Sequence, residues 1–284
     1  MLKIKSIAVL GGDVRQKYLA SFLSDEGFTV SGTQKLCDEC SVFSGYENCI
    51  AASDAVLLPL PVTKDGKNIY SCDKEEIPLD GVLDCLRDNQ ILFVGKADDV
   101  LKEKLGNKQI RFFDYFTDEE MTVKNAVATA EGAIALAIQN TATTVFSSKI
   151  LVTGYGRISK ALVKMLKGFG CDVTVAARSP VQRTWAQLDG AKTVCIEQLT
   201  DKNEYSLVFN TVPHIVFTKK ELLALSRNVL IIDLASFPGG VDNHVAKSLG
   251  IDVITAGGLP SRFSPQSAGE FIGQTVVKII KEEF

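Results

Sequence analysis

The chain has few of the side chains that build metal centres. It contains two histidines, His214 and His244, and seven cysteines among 284 residues. Cys37-Asp-Glu-Cys40 has metal-pair spacing. No second cysteine pair stands at zinc spacing and neither histidine lies near it in sequence, so no metal is expected. The cysteines read as reduced thiols, with Cys85, Cys171 and Cys195 in apolar contexts as small core residues. No apolar run reaches the roughly 18 residues needed to span a bilayer. The opening segment Met1 to Gly12 runs straight into a strand without a signal-peptide cleavage pattern, so a cytoplasmic location is expected. A charge excess is missing too. The net charge of −3 argues against nucleic acid and anionic membranes as partners. Low-complexity segments and long linkers are also absent.

What remains is an ordinary globular composition, 46% hydrophobic and 23% charged, long enough for one large or two ordinary domains. The first half alternates strand and helix patterns. Ile4–Leu10 is a β-branched run ending at Gly11-Gly12. Asp13–Leu23 has helical spacing, with Tyr18, Leu19, Phe22 and Leu23 on one face. Strands at 54–59, 91–94 and 110–113 alternate with helices at 77–86 and 100–105. The second half repeats the alternation from residue 149 to 255. Short links between β and α elements imply parallel sheets covered on both faces. The expected fold class is therefore α/β, with two doubly wound, Rossmann-like domains and a crevice between them. Residues 1–120 form the substrate-side domain, joined by a C-terminal helix at 268–284. Residues 121–145 form a connecting helix, and 146–267 the dinucleotide-binding domain.

Lys149-Ile-Leu-Val-Thr-Gly154-Tyr-Gly156-Arg-Ile-Ser159 carries the strongest chemical signal. A buried strand, a G-x-G turn and an amphipathic helix follow one another. The glycines let backbone approach a pyrophosphate, and the helix N-terminus points its N–H groups at it. Gly154, Tyr155, Gly156, Arg157 and Ile158 are the expected contacts. The next strand, Asp172–Ala177, ends without the carboxylate that usually binds the ribose hydroxyls of NAD. Arg178 and Ser179 stand there instead, a cation and a hydroxyl suited to a 2′-phosphate. NADP is expected over NAD, with a merely solvated Arg178 as the alternative.

Two later strands also end in polar groups. Asn210-Thr211-Val212-Pro213 closes one, and Asp233-Leu-Ala235-Ser236-Phe-Pro-Gly-Gly closes the next. Ligands in doubly wound sheets sit beyond the carboxyl ends of the strands, so these residues are candidates for ribose or nicotinamide contact. In the first half, Gly11-Gly12-Asp13-Val-Arg15 lacks dinucleotide spacing. It suits a carboxylate ligand paired with Arg15, or else Asp13 caps the helix. Glu131, within Thr129-Ala-Glu-Gly132, is a candidate base, with plain surface exposure as the alternative. His214 is a weaker candidate base at the rim.

These residues together resemble the A subunit of dipicolinate synthase, almost end to end. The shared motifs are Gly11-Gly12-Asp13-x-Arg15-Gln16, Leu58-Pro-Leu-Pro61, Thr129-Ala-Glu-Gly132, Gly154-Tyr-Gly-Arg157, Asn210-Thr-Val-Pro213 and Asp233-Leu-Ala-Ser-x-Pro-Gly-Gly240. More distantly, the second half is similar to the nucleotide-binding domain of D-2-hydroxyacid dehydrogenases. The resemblance implies oxidation of dihydrodipicolinate to dipicolinate with a nicotinamide cofactor. It implies a flavoprotein-like B subunit as partner, in the mother-cell cytoplasm of a sporulating bacterium. A dicarboxylate substrate needs cations; Arg15 is the first candidate and Arg262 the second, with Thr129 beside the substrate. Asp13, Arg15 and Glu131 form the expected catalytic set, Glu131 taking the proton. Ser159 departs from the usual third glycine, Ser261 and Ser264 depart from the family pattern, and His214 is not usual at its position. Two other readings stay open: a cofactor-binding protein inactive without its partner, and another NADP-dependent reductase of a keto acid or cyclic imine. A homo-oligomer is also left open.

Overall fold

A computed structural model describes residues 3–72, 75–201 and 203–284. The chain divides into two compact units, residues 1–125 with 264–284, and residues 126–263.

The first unit holds β1 (Ser6–Val9), α1 (Arg15–Asp25), β2 (Thr29–Gly32), β3 (Ser41–Val42), α2 (Tyr46–Ala51), β4 (Ala55–Leu57), α3 (Leu79–Asp84), β5 (Ile91–Val94), α4 (Asp99–Asn107) and β6 (Phe112–Asp114). The six strands form one parallel sheet in the order β3-β2-β1-β4-β5-β6. Alternate residues of its central strands serve opposite faces. Ile7, Val9, Leu57 and Phe93 pack on one side with Leu19 and Leu23. Ala8, Val56, Leu92 and Val94 pack on the other with Ile50, Val82 and Leu101. That two-sided burial explains why these strands read as continuous apolar runs and not as alternating ones.

A 22-residue helix, α5 (Glu119–Asn140), follows. Its first turns belong to the first unit and the rest to the second. It starts two residues before the expected stretch, where Asp118 caps its first turn through Met121 N, and ends at Asn140, short of residue 145.

The second unit continues with β7 (Lys149–Thr153), α6 (Arg157–Gly168), β8 (Asp172–Ala176), α7 (Pro180–Leu188), β9 (Lys192–Val194), β10 (Leu207–Asn210), α8 (Lys219–Ala224), β11 (Leu230–Asp233), α9 (Asn243–Ser248), β12 (Asp252–Thr255) and α10 (Leu259–Phe263). Its sheet is also parallel, ordered β12-β11-β10-β7-β8-β9. The strand order reverses beside β7, so β8 and β10 flank it, and the crevice above that switch point is where such sheets bind ligands.

The chain then returns to the first unit with α11 (Pro265–Glu283), which lies on α1. Two glycines set the approach. A Cβ on Gly269 would lie 2.5 Å from the carbonyl oxygen of Arg15, and one on Gly273 would lie 2.4 Å from the Phe22 ring. Any side chain at either position would push the helices apart.

β2, β3, α2 and α10 were not anticipated. β3 is two exposed residues on the sheet edge, and β2 ends in Gly32, so neither carries a recognisable pattern. Of the cysteines expected in the core, Cys171 is buried, whereas Cys85 and Cys195 are only half-buried. Among the described residues, no group of three or more His, Cys, Asp or Glu could hold a metal ion, and no helix is long and apolar enough to cross a membrane.

Candidate dinucleotide site

β7 ends at Thr153, and the chain turns through Gly154 at φ +82°. A Cβ there would stand 2.8 Å from Thr211 Oγ1 and 3.0 Å from Val212 Cγ2. Glycine is therefore needed both for the left-handed backbone and for close passage beneath the β10 loop. Gly156 differs. Its backbone is extended, and a Cβ built on it meets nothing within 4 Å. It caps α6 without a side chain, so the first turn of that helix opens onto free space. That combination fits a pyrophosphate held by backbone N–H groups.

Ser159, where a third glycine is usual, is fully buried. Its Oγ and Thr211 Oγ1 are 2.8 Å apart, and Thr211 Oγ1 donates to the carbonyl of Thr153 at 2.8 Å. The serine thus ties α6 to the β10 loop instead of merely spacing helix from strand.

A cavity of about 290 Å³ opens above this turn. Gly154, Tyr155 and Gly156 form its floor. Ala177, Arg178 and Gln182 line it from the end of β8 and the start of α7, and Ile196 from beyond β9. Thr211, Val212, Pro213 and His214 close it from the β10 side. Apolar walls with one arginine at the mouth fit an adenosine carrying an anionic substituent.

Arg178 reaches across the mouth, and its Nη2 lies 2.7 Å from His214 Nε2. Its Nε is 4.0 Å from a carboxylate oxygen of Glu197. Arg183 braces the turn from behind, donating to the carbonyls of Ala177 and Arg178 at 2.7 Å each. Ser179 is the N-cap of α7 and accepts from Gln182 N, which leaves its hydroxyl proton available. Tyr155 lines the cavity between the two glycines. Its side chain is buried, its hydroxyl donates to Asp189, and burial followed by that carboxylate pushes its pKa well up.

Several of the expected ligand contacts lie outside the lining of this cavity. Asn210 and Asp233 are 0% and 1% exposed and bond within the protein. Asn210 Nδ2 donates to Asp233 at 2.7 Å, and Asn210 Oδ1 accepts from Thr153 at 2.5 Å and from Val212 N at 3.2 Å. Asp233 also accepts from Gly240 N at 2.8 Å and Ala235 N at 3.2 Å. These side chains join the ends of β7, β10 and β11 and hold the rim in shape. Ile158 packs into the core. Arg157 and Ser236 are exposed and Ala235 is half-buried, and none of the three lines the cavity.

In the first unit, the side chains of Asp13 and Arg15 are 7% and 8% exposed and paired with each other. Arg15 Nε and Nη2 each donate to an Asp13 oxygen at 2.8 Å, and Asp13 also accepts from Arg15 N at 3.1 Å. Arg15 Nη2 donates again to the carbonyl of Leu60 at 2.5 Å. Burial opposes the guanidinium charge, and the Asp13 carboxylate outweighs it, so the pKa is raised. Asp13 therefore takes the place at Arg15 that an incoming carboxylate was expected to fill. Glu131 is exposed on α5, Thr129 is half-buried and Arg262 is exposed on α10 beside the Phe263 ring. Gln182 and Ile196 escaped sequence reasoning. Gln182 reaches the cavity from the first turn of α7, and the sheet order, with β9 beside β8, brings Ile196 there.

Known proteins extend this geometry. Residues 126–257 match the NAD-binding domain of S-adenosyl-L-homocysteine hydrolase. A transhydrogenase from Sinorhizobium meliloti and a D-lactate dehydrogenase from Treponema pallidum share the fold, with TM-scores of 0.66 and 0.63 at 12% identity and coverage of 92% or more of each chain. Fold and site define a chain with the fold of NAD(P)-dependent dehydrogenases and a domain similar to nicotinamide dinucleotide-binding domains.

Residues 6–116 match the N-terminal domain of the dipicolinate synthase A subunit. The chain is 28% identical to the dipicolinate synthase A subunit of Bacillus subtilis (strain 168), covering 99% of this chain and 98% of that protein. The crystal structure of the corresponding A subunit from Bacillus halodurans superposes with a TM-score of 0.86 at 25% identity, covering 99% of both chains. Along almost its whole length the chain is thus similar to dipicolinate synthase A subunits.

Proposed function

We propose that this chain is the component of a dipicolinate synthase that oxidises dihydrodipicolinate to dipicolinate with NADP. The observation that carries the reading is the pairing of an end-to-end family match with a glycine-floored cavity that has an arginine at its mouth. When bound, the nicotinamide supplies a hydride acceptor. The N-terminus of α6 and the Gly154–Gly156 backbone hold the pyrophosphate, and Arg178 with the Ser179 hydroxyl holds the 2′-phosphate. Thr211, Val212 and Pro213 bound the adenosine side of the cavity. Arg262 and Thr129 are the residues we assign to the substrate carboxylates, and Glu131 is the base that takes the proton. An aromatic product supplies driving force, so modest base catalysis suffices.

The partner in this reading is the flavoprotein-like B subunit, and the setting is the mother-cell cytoplasm during sporulation. A second reading, a cofactor-binding protein completed by its partner, is favoured by the Asp13–Arg15 pair, since Arg15 is already engaged. Purified chain is incubated with NADP and dihydrodipicolinate, with and without the B subunit, and dipicolinate is read by its ultraviolet absorbance. Product from the chain alone supports the first reading, and product only with both proteins supports the second. No product in either case, with reduction of a keto acid instead, overturns both.

A further inference from the structure

The hydrogen bond between Arg178 and His214 spans the mouth of the cavity and joins two loops that are far apart in sequence. It also fixes a protonation state. Arg178 can only donate, so the Nε2 it meets must be the unprotonated, accepting nitrogen of a neutral imidazole. A protonated His214 would present an N–H to a guanidinium N–H, and two cations would face each other at the same point. An anion between them resolves that conflict, because it accepts from both.

We propose that His214 is a second ligand of the ribose 2′-phosphate, one that engages by taking up a proton when NADP binds. The proposal rests on the NADP reading above and adds to it a residue and a linked proton. With its Nε2 accepting, His214 holds Arg178 across the cavity. When the phosphate arrives, Arg178 turns its donors to the phosphate oxygens, and protonated His214 donates Nε2–H to another.

Histidine is the side chain that ordinarily changes charge between pH 5 and 8. Arg178 is the charged group facing His214. Behind it stand Glu197, 4.0 Å from Arg178, and Arg183, which is bonded to backbone. Cys195 donates to Glu197 and Tyr155 to Asp189, so neither bears on the imidazole. Gln182 and Ile196, from α7 and beyond β9, bring no charge to the cavity.

The linkage has a definite sign. One proton taken up on binding tightens NADPH by up to about tenfold for each unit the pH falls. Protonation of the phosphate itself, whose second pKa is about 6, acts the other way. NADH has a neutral 2′-hydroxyl and shows neither effect.

The test is fluorescence titration of the full chain with NADPH and with NADH from pH 8 to pH 6.5, in wild type and in His214→Asn. Asn keeps an acceptor for Arg178 but cannot take a proton, and His214 is exposed, so folding is unaffected; a thermal melt verifies this. The expected result is that NADPH tightens as pH falls in wild type, that NADH does not, and that His214→Asn flattens the NADPH slope while keeping a preference for NADPH. An NADPH slope absent in wild type, or unchanged in His214→Asn, overturns the proposal and leaves the NADP reading standing. Equal binding of NADPH and NADH at every pH overturns the NADP reading, and this proposal with it.

Discussion

A Cβ on Gly240 would lie 2.0 Å from the Nδ2 of Asn210, so the loop after β11 closes directly onto the side chain that ends β10. That nitrogen already donates to Asp233 and to the carbonyl of Val212, and Asp233 accepts from Gly240 N. The close approach and the hydrogen bonds support each other. Gly240→Ala forces them apart and is expected to cost about 1–3 kcal/mol, as overpacking of a tight interior does. A thermal melt reads this as a lower Tm. An unchanged Tm would mean that the loop moves aside freely and the network does not hold it.

Asp233→Ala tests the same network from its acceptor. It leaves the Gly240 N–H and one Asn210 donor buried without partners, and each such group costs roughly 1–3 kcal/mol. The expected loss exceeds that of Gly240→Ala. Denaturant unfolding measures it, and a loss below that of Gly240→Ala would contradict the assignment.

Gly154 and Gly156 are expected to respond in opposite ways. Gly156→Ala adds a methyl that meets no atom of the protein. Stability should change by less than about 0.5 kcal/mol, as at an open surface position. The methyl instead stands where backbone would approach a pyrophosphate, so NADPH affinity should fall at least about tenfold. Gly154→Ala puts a side chain at φ +82° against Thr211, and should cost about 1–2 kcal/mol from the left-handed backbone alone. Melts and cofactor titrations of the two variants separate the roles. Full affinity in Gly156→Ala would remove the pyrophosphate from this turn.

The first unit carries a pH-dependent tie. Asp118 accepts from Lys278 Nζ at 2.8 Å and from Met121 N at 2.9 Å, joining the start of α5 to α11. Lys278, followed by the helix N–H, holds the carboxyl below its ordinary range. A carboxyl depressed in the folded state stabilises above its unfolded pKa of about 3.9, and that contribution is lost as pH falls through the folded value. Asp118→Asn should therefore be less stable than wild type at pH 7, with the difference closing in strong acid. Because the pair is exposed, salt should shrink the gap at pH 7 as well. A difference that persists in strong acid, with the carboxyl protonated in both states, would assign it to packing.

Much of this architecture was legible because long apolar strands and amphipathic helices carry their own periods. β5, β7 and α7 occupy the segments their patterns predict. The G-x-G turn was legible because Gly154 needs a left-handed backbone and Gly156 leaves open space before α6. What escaped has a physical reason in each case. A two-residue edge strand such as β3 has no period to read. Asn210 and Asp233 looked like ligand contacts because polar residues at strand ends usually face the crevice. Sequence cannot reveal that they satisfy each other, since the 23 positions that separate them include the turn that brings them together. Asp13 and Arg15 likewise read as a carboxylate site, because an aspartate two residues before an arginine does not announce that it fills the site itself.

The choice between NADP and NAD turns on Arg178 and its competitor. Glu197 keeps its charge firmly, since the thiol of Cys195 donates to it at 2.6 Å and draws its pKa below the ordinary range. It stands 4.0 Å from Arg178 and competes with any phosphate for the guanidinium. Glu197→Gln removes the competitor and its repulsion. NADPH should bind about two- to fivefold tighter, the scale of an exposed ion pair, with the gain fading at high salt. NADH should be unaffected. Arg178→Ala should act in reverse and weaken NADPH more than NADH by about tenfold or more, the scale of hydrogen bonds to a charged group. Titration of both variants with both nucleotides at low and high ionic strength measures the two ratios. If neither substitution changes the NADPH-to-NADH ratio, the 2′ position of the ribose lies elsewhere, and Arg178 only closes the mouth of the cavity.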